Sequence, residues 1–167
     1  SINSRFLDGY SYTILKDDEG HRYLYSYVIM YQWGWESVVK KKKYLLDKAT
    51  DFDKAKFFGA SAQRTYLIYA TGSKLYAYDY VAEKVQLLQD FGDQEITLLH
   101  CDLLVETGAG DDFFYVGTYD PSLPKETGGT LTKYRVVNDP NNIIVEKVPG
   151  FSWSGLCKIK SIDFKKN

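Results

Sequence analysis

The chain has 167 residues, of which 44% are hydrophobic and 26% are charged, and its net charge is −1 at neutral pH. This length accommodates one domain with a sizeable core, and a net charge near zero argues against nucleic acid or an anionic membrane surface as a partner. No apolar stretch reaches the roughly 20 residues of a membrane-spanning helix. Two cysteines are too few for a disulfide scaffold, whereas 15 tyrosines are typical of half-buried strands.

Alternating hydrophobicity predicts strands in the first third of the chain, over residues 10–16, 21–30 and 37–46. In the second of these strands, Tyr23, Tyr25 and Tyr27 share one face, because side chains alternate along a strand. Residues 47–56 are the one segment with a helical pattern, and that segment is short.

The remaining two thirds of the chain contain a repeat. Its strands are predicted over residues 54–60, 64–70, 74–80 and 85–89, then 95–104, 112–119, 129–137 and 143–148, and finally 156–164. The third strands of the two groups share a Leu-x-x-Tyr step, which begins at Leu75 and at Leu131. Corresponding strands begin near residues 11, 64 and 113. This period of about 50 residues is close to that of known propeller blades.

These features predict an all-β, β-propeller-like fold of about three four-stranded antiparallel blades in a partial ring, with an antiparallel β-sandwich as the alternative. The expected units are an incomplete blade over residues 1–53, blades over 54–92 and 93–151, and a closing inner strand over 152–167. Because closed rings have about four or more blades, three are too few. We therefore expect further blades in a longer protein, or self-association that completes the ring.

Four short motifs resemble a known family: Tyr69-Ala70-Thr71-Gly72, Leu75-Tyr76-Ala77-Tyr78-Asp79, Asp90-Phe91-Gly92 and Glu95-Ile96-Thr97. In these turns and strands, residues 64–164 resemble the C-terminal, propeller-like region of the PKD-like family of gut-bacterial (Bacteroides-type) surface lipoproteins. The resemblance implies an exported protein at the cell surface or in the periplasm, lipid-anchored in its full-length form. It also implies frequent proximity to genes for outer-membrane glycan uptake, and it gives no catalytic residue, because no activity is attached to the family.

Four aromatic residues are the candidates for ligand binding. Trp33 and Trp35 flank a glycine at a strand connection, with Tyr31 beside them, and Trp153 lies in a second aromatic segment. Indole faces of this kind stack on the C–H faces of sugars, so the sequence allows a glycan platform. The alternative, which the general burial of large aromatic residues favours, is that these side chains fill the core between blades.

Other reactive side chains have structural interpretations. His100 and Asp102 share a strand face, but with only two histidines in the chain we interpret His100 as a hydrogen-bonded structural residue. Cys101 and Cys157 have leucine neighbours and are expected to be buried and inert. The lysine run at residues 40–43 is expected on an outer edge strand, where lysines block edge-to-edge pairing.

No residue pattern matches a catalytic motif, a metal site or a phosphate-binding loop, so neither a metal nor a cofactor is expected. The sequence therefore favours a non-enzymatic binding or scaffold module of an exported bacterial protein, with a protein or a glycan as its ligand. The alternative is a fragment of a propeller enzyme acting on glycans, whose catalytic residues come partly from other blades.

Overall fold

The computed structural model of the chain describes residues 10–32, 35–60, 66–102, 112–138 and 142–160. Within these ranges the chain forms strands and one short 3₁₀ turn, Phe52–Lys54. The strands are β1 (Tyr10–Lys16), β2 (Arg22–Gln32), β3 (Trp35–Leu45), β4 (Phe57–Ala60), β5 (Tyr66–Thr71), β6 (Lys74–Asp79), β7 (Lys84–Asp90), β8 (Glu95–Asp102), β9 (Asp112–Tyr119), β10 (Gly129–Asn138) and β11 (Ile143–Leu156). The predicted all-β class is confirmed.

The strands form three antiparallel sheets in which neighbours in sequence are neighbours in space. The first sheet has the order β1-β2-β3, the middle sheet β4-β5-β6-β7, and the third sheet β8-β9-β10-β11. Short turns between alternating strands explain this order, because antiparallel neighbours need only tight connections. Over the same residues, no helix has the length and apolar character that crossing a bilayer requires.

The end of β11 differs from the prediction. The sequence predicts that this strand ends near residue 148, before the turn residues Pro149 and Gly150, and that a new strand begins at Leu156. Instead, β11 continues to Leu156 through a bulge, since β10 pairs Tyr134 with Lys147 and Thr132 with Ser152. Gly150 adopts a positive φ of 79° at this bulge, which a glycine accommodates without strain. Residues 157–160 form no strand, and residues 161–164 of the predicted closing strand lie outside the described ranges.

The middle sheet is buried on both faces. Leu67 and Tyr69 on one face pack in a cluster with Leu24 of the first sheet. On the opposite face, Ile68 packs in a second cluster with Phe114 of the third sheet. Strand alternation explains this arrangement, since neighbouring residues of β5 point to opposite faces and residues 66–70 are all apolar or aromatic and buried. The three sheets therefore stack in chain order.

An aromatic pair recurs at the corresponding position of two sheets. Tyr69 lies directly across from Tyr76, with ring centroids 5.3 Å apart and an interplanar angle of 19°. Phe114 lies directly across from Tyr134, with ring centroids 5.4 Å apart and an interplanar angle of 13°. Each stacked pair faces the preceding sheet. The repeat seen in the sequence thus corresponds to a repeated packing unit, in which cross-strand aromatic pairs stabilise the sheet.

Polar side chains and main-chain groups join neighbouring sheets. The Gln86 side chain in β7 donates to the Ile143 carbonyl at 2.5 Å and accepts from the Ile143 N–H at 3.0 Å, so it links β7 to β11. At the other side of the stack, the Ile96 N–H at the start of β8 donates to the Gly72 carbonyl at 3.1 Å. The first strands β4 and β8 lie next to each other, and so do the last strands β7 and β11.

Two buried tyrosines tie the middle sheet to the segment that arrives from the first sheet. The Tyr69 hydroxyl donates to the Thr50 carbonyl at 2.7 Å, and the Tyr78 hydroxyl donates to the Leu45 carbonyl at 3.3 Å. Burial raises the pKa of Tyr69 and raises the pKa of Tyr78 to about 12. Both hydroxyls consequently remain protonated donors at neutral pH.

Candidate functional site

The four predicted ligand-binding residues do not form one site. Trp33 lies outside the described residues, and Tyr31 and Trp35 have a described backbone only, at the connection between β2 and β3. Trp153 lies in β11 of the third sheet, two layers away from the first sheet. Its side chain is 42% exposed, so the expectation that Trp153 fills the core is wrong.

Trp153 belongs to the face of the third sheet that points away from the middle sheet. Phe114 and Tyr134 point toward the middle sheet, so the residues that alternate with them point away. We call this outward surface the aromatic face, and it consists of Phe113, Tyr115, Lys133, Phe151 and Trp153. Phe151 is 40% exposed, whereas Tyr115 is 7% exposed beneath its neighbours.

The bulge in β11 shapes the exposed part of the aromatic face. Trp153 pairs with Leu131 across the ladder, and the extra residues before Ser152 bring the Phe151 ring over the same strand. The Phe151 and Trp153 rings meet edge to face, with centroids 5.9 Å apart and an angle of 88°. Edge-to-face contact is the arrangement that the aromatic quadrupole favours, so two half-exposed rings hold each other in place.

Lys133 lies at the centre of the aromatic face. Its Nζ lies 4.6 Å from the centroid of Phe113, 4.9 Å from that of Phe151 and 5.5 Å from that of Tyr115. These distances fall within the range of cation–π attraction. Next to it on β10, Arg135 pairs with Glu146 of β11 at 3.0 Å. The surface therefore combines apolar rings with charged groups held at known positions.

Lys133 and the rings around it, Phe113, Tyr115 and Phe151, were not among the site residues predicted from the sequence. A signal was present in β10, where Leu131, Lys133 and Arg135 alternate with Thr132, Tyr134 and Val136. Charged residues at alternate positions indicate that one face of a strand meets solvent. The participation of Phe151 could not be read in this way, because it depends on the bulge.

A second candidate is a pocket of about 420 Å³ where the first sheet connects to the middle sheet, lined by Gly20, Arg22 and residues 46–54. Its charged side chains are already paired: Arg22 with Asp53, Lys54 with Asp51 at 3.2 Å, and His21 Nδ1 with Asp47 at 2.5 Å. In the described ranges no cluster of three or more potential ligands could hold a metal ion. These pairs, together with that of Lys48 and Glu83 at 2.9 Å, stabilise the connecting segment.

The His21–Asp47 pair predicts a pH dependence. The hydrogen bond and the charge of Asp47 raise the pKa of His21 above its ordinary value of 6.5, and the same bond lowers the pKa of Asp47 below 3.8. The stabilisation from His21 is complete below pH 6.5 and is lost as the pH rises through the raised pKa. The stabilisation from Asp47 is present above pH 3.8 and is lost as the pH falls through the lowered pKa.

We expect NMR titration of the His21 imidazole to give a midpoint above 6.5, and the Asp47→Asn variant to shift that midpoint down toward 6.5. The His21→Gln variant identifies the signal, and His100 serves as an internal reference. An unchanged His21 midpoint in Asp47→Asn would contradict the assigned pair.

The remaining candidate residues have structural roles, or their side chains lie outside the part of the chain that the structure describes. His100 lies half-buried on β8 and has an interaction partner there, and the side chains of Cys101 and Asp102 are not described. Cys157 is exposed, so the prediction of a buried thiol is wrong at this residue, because the chain leaves the sheet after Leu156. The lysines at residues 40–43 lie in β3, which is an edge strand of the first sheet as predicted.

Comparison with known proteins gives no match to a family model, a curated protein or a solved structure. The resemblance to the PKD-like family accordingly stays a prediction from sequence motifs. Functional conclusions about this chain therefore depend on its own surface chemistry.

Proposed function

We propose that the chain is a non-enzymatic binding module of propeller-like architecture and that the aromatic face binds a glycan. Support for the architecture comes from the stacking of the sheets. A two-sheet sandwich covers one face of each sheet, whereas here the middle sheet is covered on both faces. The alignment of β4 with β8 and of β7 with β11 is also that of successive propeller blades.

The observation that carries the glycan proposal is the exposure of Phe151 and Trp153 beside charged groups. Each ring leaves about two fifths of its surface in water, at 40% and 42% exposure. A pyranose ring can pack its C–H face on such a ring while its hydroxyl groups form hydrogen bonds with neighbouring polar side chains. Arg135, Glu146 and Lys133 provide those polar groups within the same surface.

The same face is poorly suited to packing against another sheet. On the face of the middle sheet that meets the third sheet, the positions equivalent to Tyr115, Lys133 and Arg135 are taken by Ala70, Leu75 and Ala77, which are uncharged and buried. On the aromatic face these positions are taken by bulkier and charged residues, including Lys133 and Arg135. Covering these charges with an apolar sheet would remove them from water at a large desolvation cost. A hydrated, polar ligand such as an oligosaccharide does not impose that cost.

The proposal is tested by screening the purified protein on a glycan array and measuring the affinity for the glycans that bind. Trp153→Ala is expected to reduce affinity by about thirtyfold or more, since truncation of a central binding aromatic costs about 2 kcal/mol or more. Leu87→Ala is the matched control, because Leu87 is 49% exposed on β7 of the middle sheet, away from the aromatic face. Equal loss in both variants, or binding that Trp153→Ala leaves unchanged, would overturn the proposal.

Two further parts of the proposal have separate tests. Turnover of a bound glycan, measured by mass spectrometry of the incubated ligand, would favour the alternative of a propeller-enzyme fragment.

We also propose export to the bacterial surface or periplasm, which the motif resemblance supports. Fractionation of the source cells with an antibody against this chain tests it, and recovery in the cytoplasm would contradict it.

A further inference from the structure

We infer that Lys133 makes the aromatic face selective for acidic glycans, meaning oligosaccharides with a uronic-acid carboxylate. This inference rests on the proposed function, because it names the ligand class of the same surface. It concerns selectivity alone, so neutral sugars of the same shape are expected to bind the rings more weakly.

The first argument is the pairing of charges around Lys133. Its closest basic neighbour on β10 is Arg135, which is paired with Glu146 at 3.0 Å. Lys158, beside the ring of Tyr119 on the same strand as Tyr115, is paired with Glu95 at 3.1 Å. Among the side chains that the structure describes, Lys133 has no carboxylate partner. It is therefore the cation of this surface that a ligand carboxylate can pair with.

The second argument is the position of the ammonium group. The Lys133 Nζ lies 4.6–5.5 Å from three ring centroids, and the lysine side chain is half-buried between these rings. Ring contacts leave the three N–H donors of an ammonium group available, because the π-faces attract the charge without accepting a conventional hydrogen bond. A carboxylate approaching from solvent meets a charge that is partly removed from water, which strengthens the ion pair.

The third argument is the distance between the stacking rings and the charge. Phe151 contacts both the Lys133 Nζ, at 4.9 Å, and the Trp153 ring, at 5.9 Å between centroids. A sugar stacked on Trp153 and Phe151 is thus adjacent to the ammonium group. Its ring carboxylate, or that of the next sugar unit, is placed to accept from Nζ, so stacking and ion pairing reinforce each other.

The experiment uses uronic-acid oligosaccharides, each beside its methyl ester, which has the same backbone without the charge. Oligogalacturonates and oligomannuronates are suitable probes, and isothermal titration calorimetry measures the affinities. We expect the wild-type protein to bind the acid about three- to fivefold more tightly than the ester, the upper part of the range for an exposed ion pair, because Lys133 is half-buried. This preference should decrease as NaCl is raised from 0.02 to 0.5 M, because the Debye length shortens to about 4 Å at the higher concentration.

Lys133→Met keeps most of the side-chain stem and removes the charge, so it should abolish the preference and retain binding of the ester. Retained binding of the ester shows that Lys133→Met is folded, and Lys133→Arg, which keeps the positive charge, should retain the preference for the acid. Lys84→Met is the matched control, since Lys84 is an exposed lysine in β7 of the middle sheet.

The outcomes separate this inference from the function on which it rests. Equal affinity for acid and ester in the wild-type protein, or an unchanged preference in Lys133→Met, overturns the selectivity of Lys133 while leaving glycan binding intact. Absence of binding to either form across the array, or binding that is insensitive to Trp153→Ala, overturns the proposed function itself.

Discussion

Replacement of Tyr69 by alanine is expected to lower the free energy of unfolding by about 3–5 kcal/mol, the usual cost of truncating a large buried aromatic side chain. Tyr69 has 0% exposed surface and lies between the first and middle sheets. It stacks on Tyr76 at 5.3 Å and meets the edge of Phe52 at 5.2 Å. Removal of the ring would leave a cavity that the two sheets cannot close without moving, so both lose packing.

Tyr69→Phe is the matched control, because it keeps the ring and removes the hydroxyl that donates to Thr50 at 2.7 Å. Loss of this hydrogen bond is expected to cost about 1 kcal/mol. Urea unfolding followed by circular dichroism measures both variants. If Tyr69→Ala cost no more than Tyr69→Phe, the ring would not be part of a packed layer between the sheets.

Gly129→Ala is expected to cost about 3 kcal/mol, the upper end of the range for overpacking. A Cβ added at Gly129 would lie 2.8 Å from the Cys157 carbonyl carbon and 2.9 Å from the Leu156 carbonyl oxygen. Both contacts are with backbone, which cannot turn aside as a flexible side chain can. Because the end of β11 crosses closely over the start of β10 here, the substitution separates the two strands that carry Trp153 and Lys133.

Gly155→Ala separates steric overlap from backbone conformation. Gly155 has a φ of 68°, and a Cβ there would meet nothing within 4 Å. Its substitution is therefore expected to lower the free energy of unfolding by about 1 kcal/mol, the strain of an alanine in the left-handed conformation. Thermal unfolding of the two variants under identical conditions measures the difference. A Gly129→Ala protein as stable as Gly155→Ala would contradict the close crossing of the two strands.

Local pattern in the sequence was sufficient for most of the fold. Strand β1 and strand β9 have the predicted bounds, and the all-β class follows from two-residue alternation in nearly every segment. The Leu-x-x-Tyr step predicted equivalent third strands, β6 and β10, which do hold equivalent places in their sheets. These features depend on residues that are close together in the chain, so they can be predicted from the sequence alone.

The candidate site was predicted only in part, and the reason lies in β11. Pro149 and Gly150 are turn residues by local preference, yet the pairing of β10 on both sides of them holds the strand together through a bulge. That bulge decides that Phe151 joins Trp153 on the outward face. A propensity for turns cannot anticipate it, because the competing hydrogen bonds come from another strand.

The sequence alone therefore specifies most of the strands, their antiparallel order and the aromatic character of the chain, because these features are local in origin. Tertiary structure decided which aromatic residues are buried. Tyr69 and Phe114 alternate with residues of similar apolarity, and only the stacking of three sheets assigns them to interior layers. Trp153 has the same hydrophobic character but lies on the face of the third sheet that points away from the middle sheet, so the position of its sheet, and not its side-chain chemistry, leaves it exposed.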